Sequence, residues 1–298
     1  MPKAPRIASA VKSHGPATGD RGGLCNHWDE GFGPIQAAQS LQVCKVAYMG
    51  LGVLEGTKAS QVNGFEVGWR DDHGEHLLPL ADAVSVPFEA GRPVHSFPFY
   101  RGQRHFPGLY WSSTTGGHVG FESWLERDHA MLLDFTPEVM GLLSQPLWLF
   151  WEDDRGKRIS HAPDCFARFE DGRGLVVDCR PLDRIDARSA AKFAAARAAC
   201  GAVGWGYRVV GEVDPVRMVN VRWPAGYRHP RHGADDGLAA RSLALFSMPS
   251  RLVAQAALLG DPITTLPTVF HLLWLGRLTA DLSRPLSDAT LVSRAEAR

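Results

Sequence analysis

One short stretch in the middle of the chain predicts a strand register from local signals alone. Residues 166–169 alternate as a half-buried strand does, Asp171-Gly172 is a turn signal, and residues 175–177 are a second apolar strand. A turn centred near residue 171 makes Asp164 the cross-strand neighbour of Asp178, with Cβ atoms roughly 5 Å apart. Two carboxylates at that separation repel each other unless a proton or a cation lies between them. The pattern therefore predicts a paired acidic site at one end of a hairpin.

Arg180 follows Asp178 by two residues, so its side chain is expected on the same face of the strand. Two acids beside one basic group are the layout of a metal-dependent phosphodiesterase site. An ordinary explanation stays open, because Asp164 can be a strand-edge charge and Asp178 with Arg180 a solvated pair.

Composition narrows the class of protein. The chain has 298 residues with 32 basic and 32 acidic side chains, so any surface for DNA must be local. Five cysteines without C-x-x-C spacing argue against a zinc ribbon and against a disulfide scaffold. Because we find no signal peptide and no apolar run of about 18 residues, we expect a cytoplasmic, nucleoid-associated protein without a membrane span.

The pattern divides the chain into three parts. Residues 1–60 are poorly patterned, with residues 3–33 rich in Gly, Pro, Ser and basic side chains, and are expected to be a poorly ordered tail. Residues 61–230 alternate strands and helices, which predicts an α/β (α+β) domain with a mixed sheet flanked by helices. Residues 236–298 show two helices around a tight turn and then a hairpin, the outline of a winged helix-turn-helix. A generic helical cap over the sheet is the alternative for this last part.

Further candidate residues lie outside the hairpin. A helix is predicted over residues 119–134, with Glu122 and Glu126 on one face, and a solvated helix face is the ordinary explanation of that pair. Residues 93–110 interleave aromatic and basic side chains, and residues 225–237 are locally basic. Such segments can contact a nucleic-acid backbone or simply pack under a loop. The candidate DNA contacts are Arg101, Arg104, Arg228 and Arg231.

Several short stretches, taken in order, resemble the TnsA-type endonuclease subunits of heteromeric transposases, in particular actinobacterial versions. The resemblance covers residues 62–228, with a fainter match over 238–292. The matching stretches are 99–103, 110–112, 118–126, 134–137, 144–146, 161–164 (His-Ala-Pro-Asp), 176–181 (Val-Val-Asp-Cys-Arg-Pro) and 204–207.

The resemblance implies a restriction-endonuclease-like core of the PD-(D/E)XK type. It implies an enzyme that hydrolyses phosphodiester bonds at transposon ends with Mg²⁺, or with Mn²⁺ in its place. The implied metal ligands are a helix glutamate matched by Glu122, Asp164, Asp178 and the main-chain carbonyl of Cys179. The implied partners are double-stranded DNA, a DDE transposase subunit and an AAA+ ATPase regulator.

One position departs from the family. Arg180 stands where a lysine is usual, and arginine keeps its proton at working pH, so it can clamp a phosphate but not exchange a proton. Lys192, on the following predicted helix, is another source of positive charge. The alternatives are a catalytically weakened subunit that binds DNA or aids assembly, and a stand-alone defence nuclease with the same core.

Overall fold

The computed structural model describes residues 64–96, 106–233 and 236–296. The predicted tail and two candidate DNA contacts, Arg101 and Arg104, lie outside these residues. The helices are α1 (Trp124–Asp134), α2 (Ala187–Ala202), α3 (Pro215–Ala225), α4 (Asp236–Leu245), α5 (Leu252–Ala257) and α6 (Pro262–Trp274). The strands are β1 (Glu66–Asp71), β2 (Gly74–Pro79), β3 (Gly108–Ser112), β4 (Gly117–Phe121), β5 (Val139–Ser144), β6 (Trp148–Glu152), β7 (Arg158–His161), β8 (Cys165–Phe169), β9 (Gly174–Cys179), β10 (Gly206–Val210), β11 (Ser250–Arg251), β12 (Leu278–Ala280) and β13 (Leu291–Arg294). No helix in this part of the chain is long and apolar enough to cross a membrane.

A mixed four-stranded sheet, ordered β10-β9-β8-β5, forms the centre of the fold. Strands β5, β8 and β9 are antiparallel neighbours, and α2 crosses over so that β10 runs parallel to β9. Strand β8 pairs with β9 in a register that places Cys165 opposite Val177. Continuing that register by one residue places Asp164 opposite Asp178, so the predicted hairpin register is confirmed.

The two faces of this sheet are covered by different elements. Alternate residues Cys165, Leu175 and Val177 pack with side chains of α1. The other set, Phe166 and Val176, packs with α2 and with the second sheet, ordered β2-β1-β6-β7. Because side chains alternate along a strand, neighbouring residues at the end of β9 point to opposite faces.

The start of α1 differs from the prediction. The predicted helix over 119–134 is wrong at its beginning, because β4 occupies Gly117–Phe121 and pairs with β3. The helix begins at Trp124, where the Ser123 side chain accepts a hydrogen bond from the backbone N–H of Glu126. A serine with a glutamate three residues later is a helix-capping pair, and it sets this start. Glu122 therefore precedes the helix instead of lying on it.

The C-terminal elements follow the order α4, β11, α5, α6, β12, β13, with a three-stranded sheet ordered β11-β13-β12. They share one hydrophobic core with α1, α3, β3 and β4, so side chains from both sides of the predicted boundary near residue 236 are buried together. Trp274 at the end of α6 donates from its indole Nε1 to the Ser113 Oγ at 2.6 Å. Helix α6 is thus packed against the preceding part of the chain.

Candidate functional site

Asp164 and Asp178 meet at one end of the central hairpin. Asp164 immediately precedes β8, and Asp178 is the penultimate residue of β9. In an antiparallel pair the start of one strand lies beside the end of the next, so both acids occupy the same end of the sheet. The backbone N–H of Cys179 donates to Oδ2 of Asp164 at 2.7 Å. This bond joins the two strands at the site.

Asp164 lies in an environment that disfavours its charged form. Burial raises the pKa of Asp164 well above its ordinary value, and the charges of Glu126, Asp178 and, to a smaller extent, Glu122 raise it further. The hydrogen bond from Cys179 acts in the opposite direction. A carboxyl surrounded by three other acids is stabilised as an anion when a cation binds beside it.

Asp178 is 3 % exposed and is held by two donors on the face of the sheet that α2 covers. The phenol of Tyr207 donates to its Oδ2, and Nε2 of His161 lies 2.9 Å from the same oxygen. Burial, followed by the charge of Asp178, raises the pKa of Tyr207 far above its ordinary value, so the phenol keeps its proton. These bonds engage Oδ2 and leave Oδ1 outside them.

Glu126, which the sequence indicated only as the partner of Glu122 on one helix face, lies in the first turn of α1. Its Oε1 accepts from the Ser123 hydroxyl at 2.8 Å, and its Oε2 accepts from the backbone N–H of Glu122 at 2.8 Å. Glu126 contributes more than Glu122 to the raised pKa of Asp164. The capping pair of Ser123 and Glu126 was the sequence signal that could have placed this carboxylate at the helix start.

The two candidate cations differ in surroundings. The Arg180 side chain is exposed, and its backbone N–H donates to the carbonyl of Val210 at 2.8 Å. Lys192 is half-buried and donates from Nζ to the carbonyl of Ser160 at 2.9 Å, one residue before His161. Lys192 is therefore held next to the residue that contacts Asp178.

Gln145 is a second residue that sequence reasoning did not single out as functional. Its backbone N–H donates to the carbonyl of Asp164 at 3.0 Å, and its φ of 50° lies in the left-handed region that non-glycine residues avoid. The side chain is 2 % exposed, and its Oε1 has no hydrogen-bond partner in the structure. Such strain beside a buried acid is typical of functional sites. The signal in the sequence was the stretch 144–146, which belongs to the resemblance.

The candidate DNA contacts that the structure describes differ from each other. The Arg228 guanidinium donates from Nε to the carbonyl of Trp111 at 2.6 Å and lies 4.5 Å from the centre of the Tyr110 ring. Arg228 therefore ties the segment after α3 to β3. Arg231 is exposed. For both residues, contact with DNA stays a prediction.

The predicted ligands fit Mg²⁺ by the chemistry of their oxygens, because Mg²⁺ binds through carboxylates and retained waters. As they lie, however, the residues that the structure describes contain no group of three His, Cys, Asp or Glu side chains placed to hold a metal ion. Asp178 projects to the face covered by α2, whereas Glu126 belongs to α1, which covers the other face. Because Tyr207 and His161 hold the Asp178 carboxylate, bringing both acids onto one ion requires movement of the Glu126 side chain.

A scan against protein-family models finds no match to this chain, and a search of curated proteins finds no relative.

Proposed function

We propose that this chain is a Mg²⁺-dependent DNA endonuclease subunit of a heteromeric transposase, cutting strands at transposon ends. The observation that carries the metal-dependent part of the proposal is the meeting of Asp164 and Asp178 at one end of a hairpin, where burial and three neighbouring acids raise the pKa of Asp164. The transposase and the transposon ends come from the resemblance of the short stretches. Perturbed carboxyls of this kind cluster at functional sites. A cation bound there would offset the repulsion that the protein otherwise bears.

The order of the elements supports a nuclease core. Helix α1 is followed by β5, then by β6 and β7 of the second sheet, and then by β8, β9, α2 and β10. Within the central sheet, the strands β5, β8, β9 and β10 lie side by side in chain order. The last two strands are parallel and the others antiparallel. An antiparallel hairpin with both acids at one end, followed by a helix and a parallel strand, supports our proposal of a restriction-endonuclease-like core of the PD-(D/E)XK type.

Different residues of the chain would bind the metal ion and the phosphate during hydrolysis. Asp164, Asp178, the carbonyl of Cys179 and a glutamate at the start of α1, either Glu122 or Glu126, would hold the ion. When bound, Mg²⁺ polarises the phosphate and lowers the pKa of the attacking water. Arg180, exposed just beyond β9, would bind a phosphate oxygen through its charged guanidinium.

The C-terminal elements support a role in partner contacts. Their order is α4, β11, α5, α6, β12, β13, with the three strands in one sheet, and it supports our proposal of a winged helix. The helix in the recognition position, α6, carries neither lysine nor arginine, and its residues 268–274 are buried. Base recognition needs an exposed helix with hydrogen-bonding side chains. We therefore assign this region to contact with the DDE transposase or the AAA+ ATPase.

A catalytically weakened subunit is the second candidate. Two observations favour it: position 180 is arginine, and no three described side chains are placed to hold an ion. Such a protein would bind DNA or aid assembly without cutting.

Nicking of a supercoiled plasmid that carries transposon ends tests the proposal. Wild-type protein with Mg²⁺, alone or with the partner transposase, is expected to nick, and Asp164→Ala is expected to lose at least about 100-fold of that rate, since it removes a metal ligand. Asp171→Ala is the matched control, because it changes an exposed aspartate at the opposite end of the same hairpin.

Each outcome of this assay decides between the candidates. Absence of nicking by the wild type under both conditions would refute the endonuclease proposal and would favour the catalytically weakened subunit. Equal nicking rates for Asp164→Ala and the wild type would show that Asp164 does not belong to the catalytic site. Nicking without preference for transposon ends, and without the transposase, would favour a stand-alone nuclease.

A further inference from the structure

We propose that Tyr207 and His161 are positioning residues, which fix the carboxylate of Asp178 so that its Oδ1 serves the metal ion. This inference rests on the proposed function. It adds two residues that act through Asp178 and do not themselves touch DNA.

Two donors from different parts of the fold converge on one oxygen. Tyr207 lies on β10 of the central sheet and His161 on β7 of the second sheet. Both reach Oδ2 of Asp178, which lies between them on β9. The side chains of His161 and Asp178 are 11 % and 4 % exposed, so water cannot substitute freely for either donor.

Side chains of helix α2 contact both donors or the residue next to them. The Phe193 ring contacts the His161 ring edge-to-face, with centroids 5.9 Å apart. The guanidinium of Arg197 lies 5.3 Å from the centre of the Tyr207 ring. The bond from Lys192 to the carbonyl of Ser160 fixes the end of β7 just before His161. Three side chains of one helix therefore restrict the movement of the two donors.

Packing alone does not explain why a carboxylate with two hydrogen bonds to one oxygen is buried at this position. A buried carboxylate is costly, and an apolar residue would fill the same space at lower cost. Two hydrogen bonds to the same oxygen restrict rotation of the carboxylate and leave its other oxygen outside these bonds. Residues that hold a metal ligand in this way commonly change metal affinity when they are replaced.

Mn²⁺ binding to the full chain, measured by isothermal titration calorimetry, tests the inference without requiring catalysis. Tyr207→Phe removes one hydroxyl and is expected to weaken Mn²⁺ binding by about 10–100-fold. Tyr110→Phe is the matched control, because the Tyr110 phenol makes the same kind of buried bond, 2.7 Å long, to Asp134. It is expected to leave Mn²⁺ affinity within about twofold of the wild type, since Tyr110 does not contact the predicted ligands.

A second pair of variants guards against a simple folding defect. His161→Gln keeps a side-chain donor and is expected to retain most of the Mn²⁺ affinity, whereas His161→Ala is expected to weaken it as Tyr207→Phe does. Rescue by glutamine supports a positioning role. Equal loss in both histidine variants, with no loss in Tyr207→Phe, overturns it.

The failure of this inference can be told from the failure of the proposed function. If Asp164→Ala abolishes Mn²⁺ binding while Tyr207→Phe and His161→Ala bind as tightly as the wild type, the positioning role is overturned and the metal site stands. If the wild type itself binds no Mn²⁺, both are overturned.

Discussion

Asp134, at the end of α1, is expected to be a main determinant of stability. It is 5 % exposed and accepts hydrogen bonds from the side chains of Tyr110 and Ser112 at 2.7 and 2.8 Å. The backbone N–H groups of Ser113 and Thr114 also donate to it, at 3.1 and 2.8 Å. One carboxylate therefore organises the end of β3 and the turn that follows it.

The cost of Asp134→Ala follows from the donors that it leaves behind. A buried donor without a partner costs about 1–3 kcal/mol, and five donor groups would lose their acceptor. Rotation of the hydroxyls and entry of water recover part of that cost, so we expect a loss of about 3–5 kcal/mol in the free energy of unfolding. The bond from Trp274 to Ser113 extends the effect, because Ser113 also donates from Oγ to Asp134.

Urea unfolding followed by tryptophan fluorescence measures this loss. Asp128→Ala on the same helix is the control, since Asp128 forms ion pairs with Arg127 and with the half-exposed Arg222. Asp128 is 14 % exposed, but both arginines keep access to solvent, at 23 and 44 % exposure, so a loss of only about 1–2 kcal/mol is expected. If Asp134→Ala costs no more than Asp128→Ala, the reasoning about the buried donors is refuted.

Two further predictions concern the site and the hairpin beneath it. The raised pKa of Asp164 means that its contribution to stability is full at acidic pH and is lost as pH rises through its pKa in the folded state. Without divalent cations, Asp164→Asn is therefore expected to be more stable than the wild type at neutral pH by about 1–2 kcal/mol, with no difference near pH 3, as thermal unfolding across pH would show. A decline in stability at neutral pH that matches the wild type would contradict the assignment. In Gly174→Ala, the new Cβ would lie 2.8 Å from the Phe166 ring, so a loss of about 1–3 kcal/mol is expected in urea unfolding. Gly201→Ala, whose Cβ would meet nothing within 4 Å, should be neutral or slightly stabilising, and equal effects at both glycines would argue against close packing there.

Parts of the fold could be read from the sequence because their causes are local. The register of β8 and β9 follows from the Asp171-Gly172 turn and from alternation over a few residues. The order of helices and strands after residue 236 was predicted in outline for the same reason. Helix α3 was missed, because a proline lies inside it at Pro224 and its apolar face is weakly marked. The start of α1 was misplaced, because the apolar residues of β4 continue the helical pattern upstream.

The sequence by itself determined that Asp164 and Asp178 are neighbours, since they stand 14 positions apart across one tight turn, which leaves little choice of register. Only the tertiary structure decided what surrounds them. His161 and Tyr207 come from two different sheets, and Glu126 comes from a helix on the opposite face. Their approach depends on how separate layers pack, which is a property of the whole core and not of any local segment.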